Sequence, residues 1–235
     1  MKLLIPFLLV LLFIPEKESL LCNEVSTLKI TIVPTFKGSP LEQDTWYVTR
    51  NGDSIQVDKL RFYLTQFSGL NKNGEQLIAT DTAFLVDAFD ATSLELSIPL
   101  VKELALESLH CNLGVPNKLH EAGALAGALD PINGMYWAWQ SGFINFKLEG
   151  TSPSCLTRKN KFMYHIGGYK EPFATTQELH FEFAKNIDNN LVIAVDIEPF
   201  LASNDLKTTN QLMIPGQQAH DQSLKLPKLF TCYEK

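Results

Sequence analysis

The residues most able to do chemistry in this chain are its five histidines, His110, His120, His165, His180 and His220. Imidazole is the common protein ligand for copper and zinc, so each is a candidate metal ligand. The simpler interpretation of any one of them is a polar side chain satisfied by a hydrogen bond. His110 and His180 lie within strand-like segments, and their neighbours suggest structural roles.

His165 differs from the other histidines in its surroundings. It lies in the segment 162–168 (FMYHIGG), where Gly167 and Gly168 follow it closely. Paired glycines mark a tight turn or a close approach of two backbones. A histidine at a strand end beside such a turn is well placed to face a site, so His165 is the first candidate ligand.

The aromatic block 134–143 (GMYWAWQSGF) is the most unusual stretch of the chain. If 135–148 is one strand, its alternation places Met135, Trp137 and Trp139 on one face. Residue chemistry favours packing of both tryptophans in a core. The functional alternatives are a platform for stacking sugars or the wall of a metal pocket.

Several catalytic signatures are missing from the sequence. No Gly-x-Ser-x-Gly segment occurs, and His120-Glu121 starts like a zinc-protease motif but has Ala124 where the second histidine is needed. Asp87 and Asp90 are close enough to hold a cation, but their spacing is common in loops and matches no EF-hand. A hydrolase is therefore the weakest hypothesis, and we predict a protein that is not an enzyme.

The elements that must position these residues look like strands. Alternating or short apolar segments separated by turn residues favour a sandwich or a Greek-key barrel. The predicted fold is all-β, an antiparallel and Greek-key-like β-sandwich with long loops and little helix. Residues 187–190 are predicted as a hairpin turn, 93–108 as irregular or briefly helical, and 120–130 as a packed loop with room for one helical turn. The strand candidates are 28–34, 55–63, 83–86, 109–115, 135–148, 179–183 and 191–197.

Length and charge limit the remaining possibilities. The 235 residues are 45% hydrophobic, which is enough for one core, and we predict a single domain over 25–235. The net charge of -6 argues against a nucleic-acid partner, which would need a basic face.

The first residues predict export. Lys2 precedes an apolar run over 3–14 that ends at Pro15, so residues 1–21 are predicted to be a signal peptide. A short buried helix or a membrane anchor is the alternative. No second apolar stretch approaches spanning length, so the mature protein is expected to have no membrane span and to be periplasmic or secreted.

Cys22 follows the signal segment and could carry a lipid anchor, although Leu21 stands where a small residue is usual. In an oxidising compartment the four cysteines could also form disulfides, and their three complete pairings are equally open. No clustered Cys/His pattern is present, so a structural zinc site is not expected. The cysteines are Cys22, Cys111, Cys155 and Cys232.

Six segments in order resemble the MbnP-like domain family, found beside methanobactin genes and in many other exported bacterial proteins. They cover most of the mature chain, and the block MYWxWQSG is the most specific of them. Its motif residues here are Met135, Tyr136, Trp137, Trp139, Gln140 and Gly142, with Gly167 beside His165. The segments are 59–64, 84–87, 112–116, 127–131, 134–142 and 164–168.

The resemblance implies a sandwich-like fold and an exported copper-binding protein. In some relatives a partner dihaem enzyme oxidises a tryptophan to kynurenine, and histidines complete the copper site. His165 matches the family's His-x-Gly position, and Trp137 and Trp139 match its aromatic block. A related copper protein has a Trp-x-His arrangement, and no tryptophan of this chain has a histidine two residues on.

Copper chemistry narrows the ligand set. Cu(I) needs few ligands and tolerates two imidazoles, whereas Cu(II) takes more nitrogen or oxygen donors. With only four methionines there is no Met-rich tract. We therefore expect a site on His165, with His120 and His220 as partners from loop-like segments.

The predicted function is copper sequestration or handling outside the cytoplasm. The alternative is a metal-free binding or adhesion module, for example for carbohydrate, which would need surface tryptophans.

Overall fold

A computed structural model describes residues 26–100, 106–140, 142–187 and 190–234. The predicted signal peptide and the candidate lipid anchor Cys22 lie outside these residues. The described part of the chain consists mainly of strands. They are β1 Thr27–Phe36, β2 Ser39–Pro40, β3 Trp46–Val48, β4 Ser54–Leu70, β5 Gln76–Thr80, β6 Phe84–Asp87, β7 Glu95–Pro99, β8 Leu106–Leu113, β9 Tyr136–Trp137, β10 Gly142–Thr151, β11 Lys161–Gly167, β12 Gln177–Ile187, β13 Asn190–Asp196, β14 Gln211–Leu212 and β15 Phe230–Glu234.

Helix is sparse in the same residues. The α-helices are α1 Asn117–Glu121, α2 Glu198–Ala202 and α3 Gln217–Ser223. Single 3₁₀ turns lie at Ala91–Leu94, Gly127–Leu129, Pro131–Asn133, Arg158–Asn160 and Leu226–Leu229. None of the helices in the described residues is long and apolar enough to cross a membrane.

The strands form two mixed sheets. The smaller sheet has the order β15-β13-β1-β2, with β7 also paired to β1. The larger has the order β12-β8-β4-β10-β11-β14, and the long β4 also pairs with β3, β5 and β6. Most pairs are antiparallel, but β1 and β13 are parallel, as are β11 and β14.

The core lies between the two sheets. In β1 the fully or almost fully buried residues Leu28, Ile30 and Ile32 alternate with more accessible ones, as a strand with one buried face requires. These residues join one hydrophobic cluster with residues of the larger sheet. The ring of Phe62 on β4 meets that of Phe230 on β15 edge to face at 5.4 Å, which connects the sheets directly.

The prediction of an all-β sandwich with little helix is confirmed. The two parallel pairs are the departure from a purely antiparallel arrangement. Parallel pairing needs a connection that returns the chain to the same end of the sheet, and a single sequence carries no local signal for that.

Two local predictions are wrong. Residues 135–148 are not one strand, because the chain turns where Gln140 N–H donates to the Trp137 carbonyl at 3.2 Å, and β10 then pairs back on β9. The predicted hairpin at 187–190 is wrong, because strand β12 belongs to the larger sheet and strand β13 to the smaller, so the two do not pair. The segment 93–108, predicted to be mixed with an irregular or briefly helical stretch, begins in the 3₁₀ turn Ala91–Leu94 and also contains strand β7, which pairs with β1.

The acidic pair considered for a cation has other roles. Asp87 forms an ion pair with Arg61 at 2.7 Å. Asp90 caps the 3₁₀ turn that follows it, accepting a hydrogen bond from Thr92 N–H at 3.0 Å. Hydrogen bonds from Thr92 lower the pKa of Asp90, so its carboxylate is used in holding the turn.

The described cysteines carry free thiols. Burial raises the pKa of Cys155 to about 11 and that of Cys232 to about 12. Burial also raises the pKa of Cys111, with a smaller contribution from Cys232. Thiolates are therefore scarce at neutral pH, and these residues act as small apolar groups of the core.

Candidate functional site

Charged side chains cover the outer face of β10. Phe146 and Leu148 are fully buried in the core, so alternation turns Lys147 and Glu149 to the opposite face. In the sheet register, Lys147 lies opposite His165 of β11. Strand geometry thus brings His165 beside two charged residues.

The central contact of this face joins His165 and Glu149. Nε2 of His165 lies 2.7 Å from Oε1 of Glu149, and Nζ of Lys59 lies 3.1 Å from Oε2. The hydrogen bond with His165 is the main cause that lowers the pKa of Glu149 to about 2, against the opposing effect of burial. The carboxylate is therefore ionised at neutral pH and accepts a hydrogen bond from the Nε2–H of His165. Neutral His165 then carries its lone pair on Nδ1, where a metal could bind.

Two cations on this face hold the loop that precedes the aromatic block. Lys147 donates to the carbonyl of Gly134, and Arg61 donates to the carbonyl of Asn133 at 2.9 Å. Burial lowers the pKa of Lys147, while Glu149 acts in the opposite direction. The loop is thus tied to the sheet at two successive carbonyls, which fixes where β9 begins.

Trp137 packs on β11 two residues beyond His165. A Cβ atom on Gly167 would lie 2.9 Å from Cζ3 of Trp137 and 2.6 Å from the carbonyl oxygen of Phe143. Glycine is therefore needed for this indole, which is only 6% exposed. Alternate residues of a strand share a face, so the indole and His165 lie on the same side of β11.

Trp139 has a different environment from Trp137. Its side chain is 62% exposed, while Met135 is fully buried in a smaller hydrophobic cluster with Tyr63. The prediction that Met135, Trp137 and Trp139 share one face is wrong because the chain turns between the tryptophans. Their ring centroids still lie 5.7 Å apart, so the two indoles remain neighbours.

A cavity of about 180 Å³ opens beside Trp137. Most of its wall is apolar and aromatic. The lining includes Trp137, Gln140, Tyr169, Phe173, Pro215 and Gly216. The turn after His165 and the start of α3 therefore meet the aromatic block around one concave space.

His120 is buried behind this cavity, with 1% of its surface exposed. Its Nδ1 accepts a hydrogen bond from Phe143 N–H at 3.0 Å, and its ring stacks on Tyr169 with centroids 4.7 Å apart. Burial lowers the pKa of His120 to about 4, despite the opposing effects of the Val115 carbonyl and of Asn145. Since Nδ1 is an acceptor, the proton of the neutral ring is on Nε2, which lacks a hydrogen-bond partner among the described residues. Neither nitrogen offers a free lone pair in this arrangement.

His220 differs from His120 in its hydrogen-bond partner and therefore in its tautomer. It lies on α3, four residues after Gly216 of the cavity wall. Nδ1 donates to the carbonyl of Ala174 at 2.7 Å, so the lone pair of the neutral ring is on Nε2. A histidine held by a backbone carbonyl in this way has the tautomer that metal ligands use.

The three candidate histidines thus lie on three elements, each with its own partner. His165 is fixed by a carboxylate, His120 by a backbone N–H and His220 by a carbonyl. Within the described ranges, no three His, Cys, Asp or Glu side chains are grouped closely enough to hold a metal ion. A ligand role for each of them stays a prediction, and His165 and His220 have the appropriate tautomer.

Sequence reasoning missed Glu149 and Lys147, which orient His165 and the covering loop. The available signal was two charged residues alternating with Phe146 and Leu148 inside an otherwise apolar strand. It also missed Met163, which lies two residues before His165 and opposite Glu149 in the register. Alternation along β11 puts this thioether on the face of His165.

Comparisons with known proteins agree with these motifs. The family model MbnP matches residues 25–218, which include all six segments of the sequence resemblance. No curated protein matches the chain. Among solved structures, MbnP from Methylosinus trichosporium is similar, with a TM-score of 0.57 over 77% of this chain and 78% of that chain. The sequence identity is 13%, so this likeness concerns the fold. Because the family model spans most of its length, the chain belongs to the MbnP family.

Proposed function

We propose that this protein binds one copper ion through His165 and sequesters or handles copper outside the cytoplasm. The observation that carries the proposal is the contact of 2.7 Å between His165 Nε2 and Glu149. A carboxylate behind a histidine fixes the tautomer and makes the other ring nitrogen a better donor. The family resemblance of the sequence supplies the choice of copper.

Side chains on β11 and on α3, which packs against β11, suit Cu(I). This ion is soft, binds thioether and imidazole, and needs few ligands. Met163 supplies a thioether on the same strand face, and His220 is the second imidazole with a suitable tautomer. Dioxygen-sensitive Cu(I) would be partly shielded at His165, which is 6% exposed.

Oxidation of a tryptophan by a dihaem partner enzyme is part of the same proposal. Trp137 is the indole that lies on the His165 face of β11, against Gly167. An oxidised ring there would add oxygen or nitrogen donors next to His165. Intact mass of the protein, isolated from cells with and without the partner, is the direct measurement of this step.

Replacing His165 by alanine tests copper binding. We expect Cu(I) affinity, measured by competition with a chromophoric chelator, to fall at least about 100-fold, since the first ligand is lost. Glu107→Ala is the control, because Glu107 is an exposed residue of β8, which is separated from β11 in the sheet by β4 and β10. Equal Cu(I) affinity in His165→Ala and the native protein would overturn the proposal.

Glu149→Gln tests the role of the carboxylate. The variant keeps the size of the side chain but removes the charge that accepts the Nε2 proton of His165. We expect Cu(I) affinity to fall by about 10- to 100-fold, the usual effect of losing such a partner. Glu75→Gln is the control, since Glu75 is exposed and contacts Asn71 in a turn outside the site. Loss of equal size in both variants would contradict the assigned role of Glu149.

One observation supports the alternative of a carbohydrate-binding module. Trp139 is 62% exposed and adjoins Trp137 of the cavity wall, so its face is available for stacking on a sugar ring. Saturable quenching of tryptophan fluorescence by soluble oligosaccharides, lost in Trp139→Ala and independent of copper, would favour this function over metal binding.

A further inference from the structure

Two histidines outside the site described above face each other across a strand pair. His110 of β8 and His180 of β12 are directly opposite in the antiparallel register. Their Nδ1 atoms lie 2.8 Å apart, and their ring centroids 3.9 Å apart. The His180 side chain is 46% exposed, so solvent ions reach the pair.

The charges around the pair favour a cation. Glu178 and Glu182 lie two residues to either side of His180 on β12, and alternation puts both on its face. Oε1 of Glu182 is 3.1 Å from Nε2 of His180. Glu178 and His110 both line an open groove of about 410 Å³ with Asn112. No lysine or arginine lines that groove in the described structure.

The hydrogen bonds of the pair give His180, but not yet His110, the tautomer of a metal ligand. The Glu182 carboxylate accepts the Nε2 proton of His180, which leaves the His180 lone pair on Nδ1, aimed at His110. His110 must then donate its own Nδ1 proton across the short contact. Moving that proton to Nε2, a tautomeric change of a half-buried imidazole, frees both Nδ1 lone pairs, and a small rotation of the two rings lets them converge on one metal ion.

The two nitrogens are close enough to share one metal ion, and their separation is nearest to that in a tetragonal complex. With bonds of about 2.0 Å, two nitrogens at right angles on a metal lie about 2.8 Å apart, whereas a tetrahedral metal requires about 3.3 Å. The observed separation is 2.8 Å. Right-angle geometry is that of square-planar or tetragonal Cu(II) and Ni(II), and tetrahedral geometry is that of Zn(II).

We propose that His110 and His180 form a second metal site, which binds Cu(II) through their two Nδ1 atoms at the surface of the larger sheet. The described residues provide no cluster of three ligating side chains, so water fills the other positions. Such a site exchanges its ion readily. It is distinct from His165, because three strand spacings separate β8 from β11 in the sheet order, a distance of about 14 Å.

The test uses Cu(II) alone, added to the protein carrying His165→Ala so that the other site is silent. We expect one equivalent to bind, with an electron paramagnetic resonance spectrum of tetragonal Cu(II) that shows two coupled imidazole nitrogens. In this protein, a further substitution His110→Asn or His180→Asn should lower the Cu(II) affinity at least tenfold. The variant with both substitutions should have the same Cu(II) affinity as either one alone. Zn(II) should compete poorly.

Controls separate this proposal from that of copper at His165. His220→Ala should leave the Cu(II) spectrum unchanged. Circular dichroism should show that the variants at His110 and His180 remain folded. Undiminished Cu(II) binding in the double variant, or a spectrum without imidazole coupling, would overturn the second site. Neither result affects the Cu(I) titration of His165→Ala, so each proposal fails separately.

Discussion

Gly167→Ala is expected to lower the free energy of unfolding by about 3 kcal/mol, because overpacking of this severity displaces main-chain atoms. The new methyl group would lie 2.6 Å from the Phe143 carbonyl oxygen and 3.1 Å from the Cα atom of Ile144, both on the neighbouring strand. Neither atom moves without disturbing β10. The same methyl group would also press on the Trp137 ring at 2.9 Å. Urea unfolding followed by circular dichroism measures the loss.

Gly142→Ala is the matched control for this prediction. Gly142 lines the same cavity, but an added Cβ would meet Nδ1 of His120 at 3.6 Å and the Tyr169 ring at 3.7 Å, which are ordinary contacts. Its unfolding free energy should change by less than about 1 kcal/mol. If the two variants were equally stable, the close packing of Trp137 on Gly167 would be wrong.

Acidification is expected to remove about 3 kcal/mol of stability through His120 alone, since each pKa unit is worth 1.36 kcal/mol. Burial lowers the pKa of His120 from 6.5 to about 4 in the folded protein. The unfolded chain therefore binds the proton first as the pH falls. The stability contributed by the neutral ring is complete above about pH 6.5 and is lost as the pH falls towards 4.

His120→Asn isolates this effect. Asparagine keeps an acceptor near the position of Nδ1, so the hydrogen bond from Phe143 N–H is retained in part. The variant should be less stable at pH 7, since the stacking on Tyr169 is lost, but its stability should change little between pH 6.5 and 4.5. A native slope in His120→Asn would assign the titration to another group. The stability contributed by ionised Glu149, whose pKa is lowered from 4.5 to about 2, is lost only as the pH falls below about 4.5.

Alternation predicted the strands well and their partners poorly. Segments such as 28–34 and 55–63 are strands because every second residue is apolar and one face is buried. Which strand lies beside which is decided by contacts distant in sequence, and this is why 187–190 looked like a hairpin turn. In the aromatic block, the turn at Gln140 depends on pairing between β9 and β10, which residue types alone do not reveal.

The candidate site was predicted in part. His165 was singled out because of the glycines that follow it, and Gly167 is indeed required by the packing of Trp137. Glu149 could not be assigned to His165, because the pairing of β10 with β11 sets their contact. The sequence suggested only structural roles for His110 and His180, because it does not show which strands pair. Their opposition across β8 and β12 exists only in the folded register.

The parallel pairing of β1 with β13 has a consequence for how the chain folds during synthesis. β1 lies in the interior of the smaller sheet, yet Lys29 is opposite Asn190 and Thr35 is opposite Asp196. Nearly the whole polypeptide must therefore be made before the first strand can find this neighbour. Until then one edge of an apolar strand is open, a state prone to self-association and typical of slow folding at high contact order. The larger sheet, whose central pairs of β4 with β6, β8 and β10 involve earlier residues, can form first. The apolar face of the larger sheet could then cover the apolar face of β1 before β13 has been made.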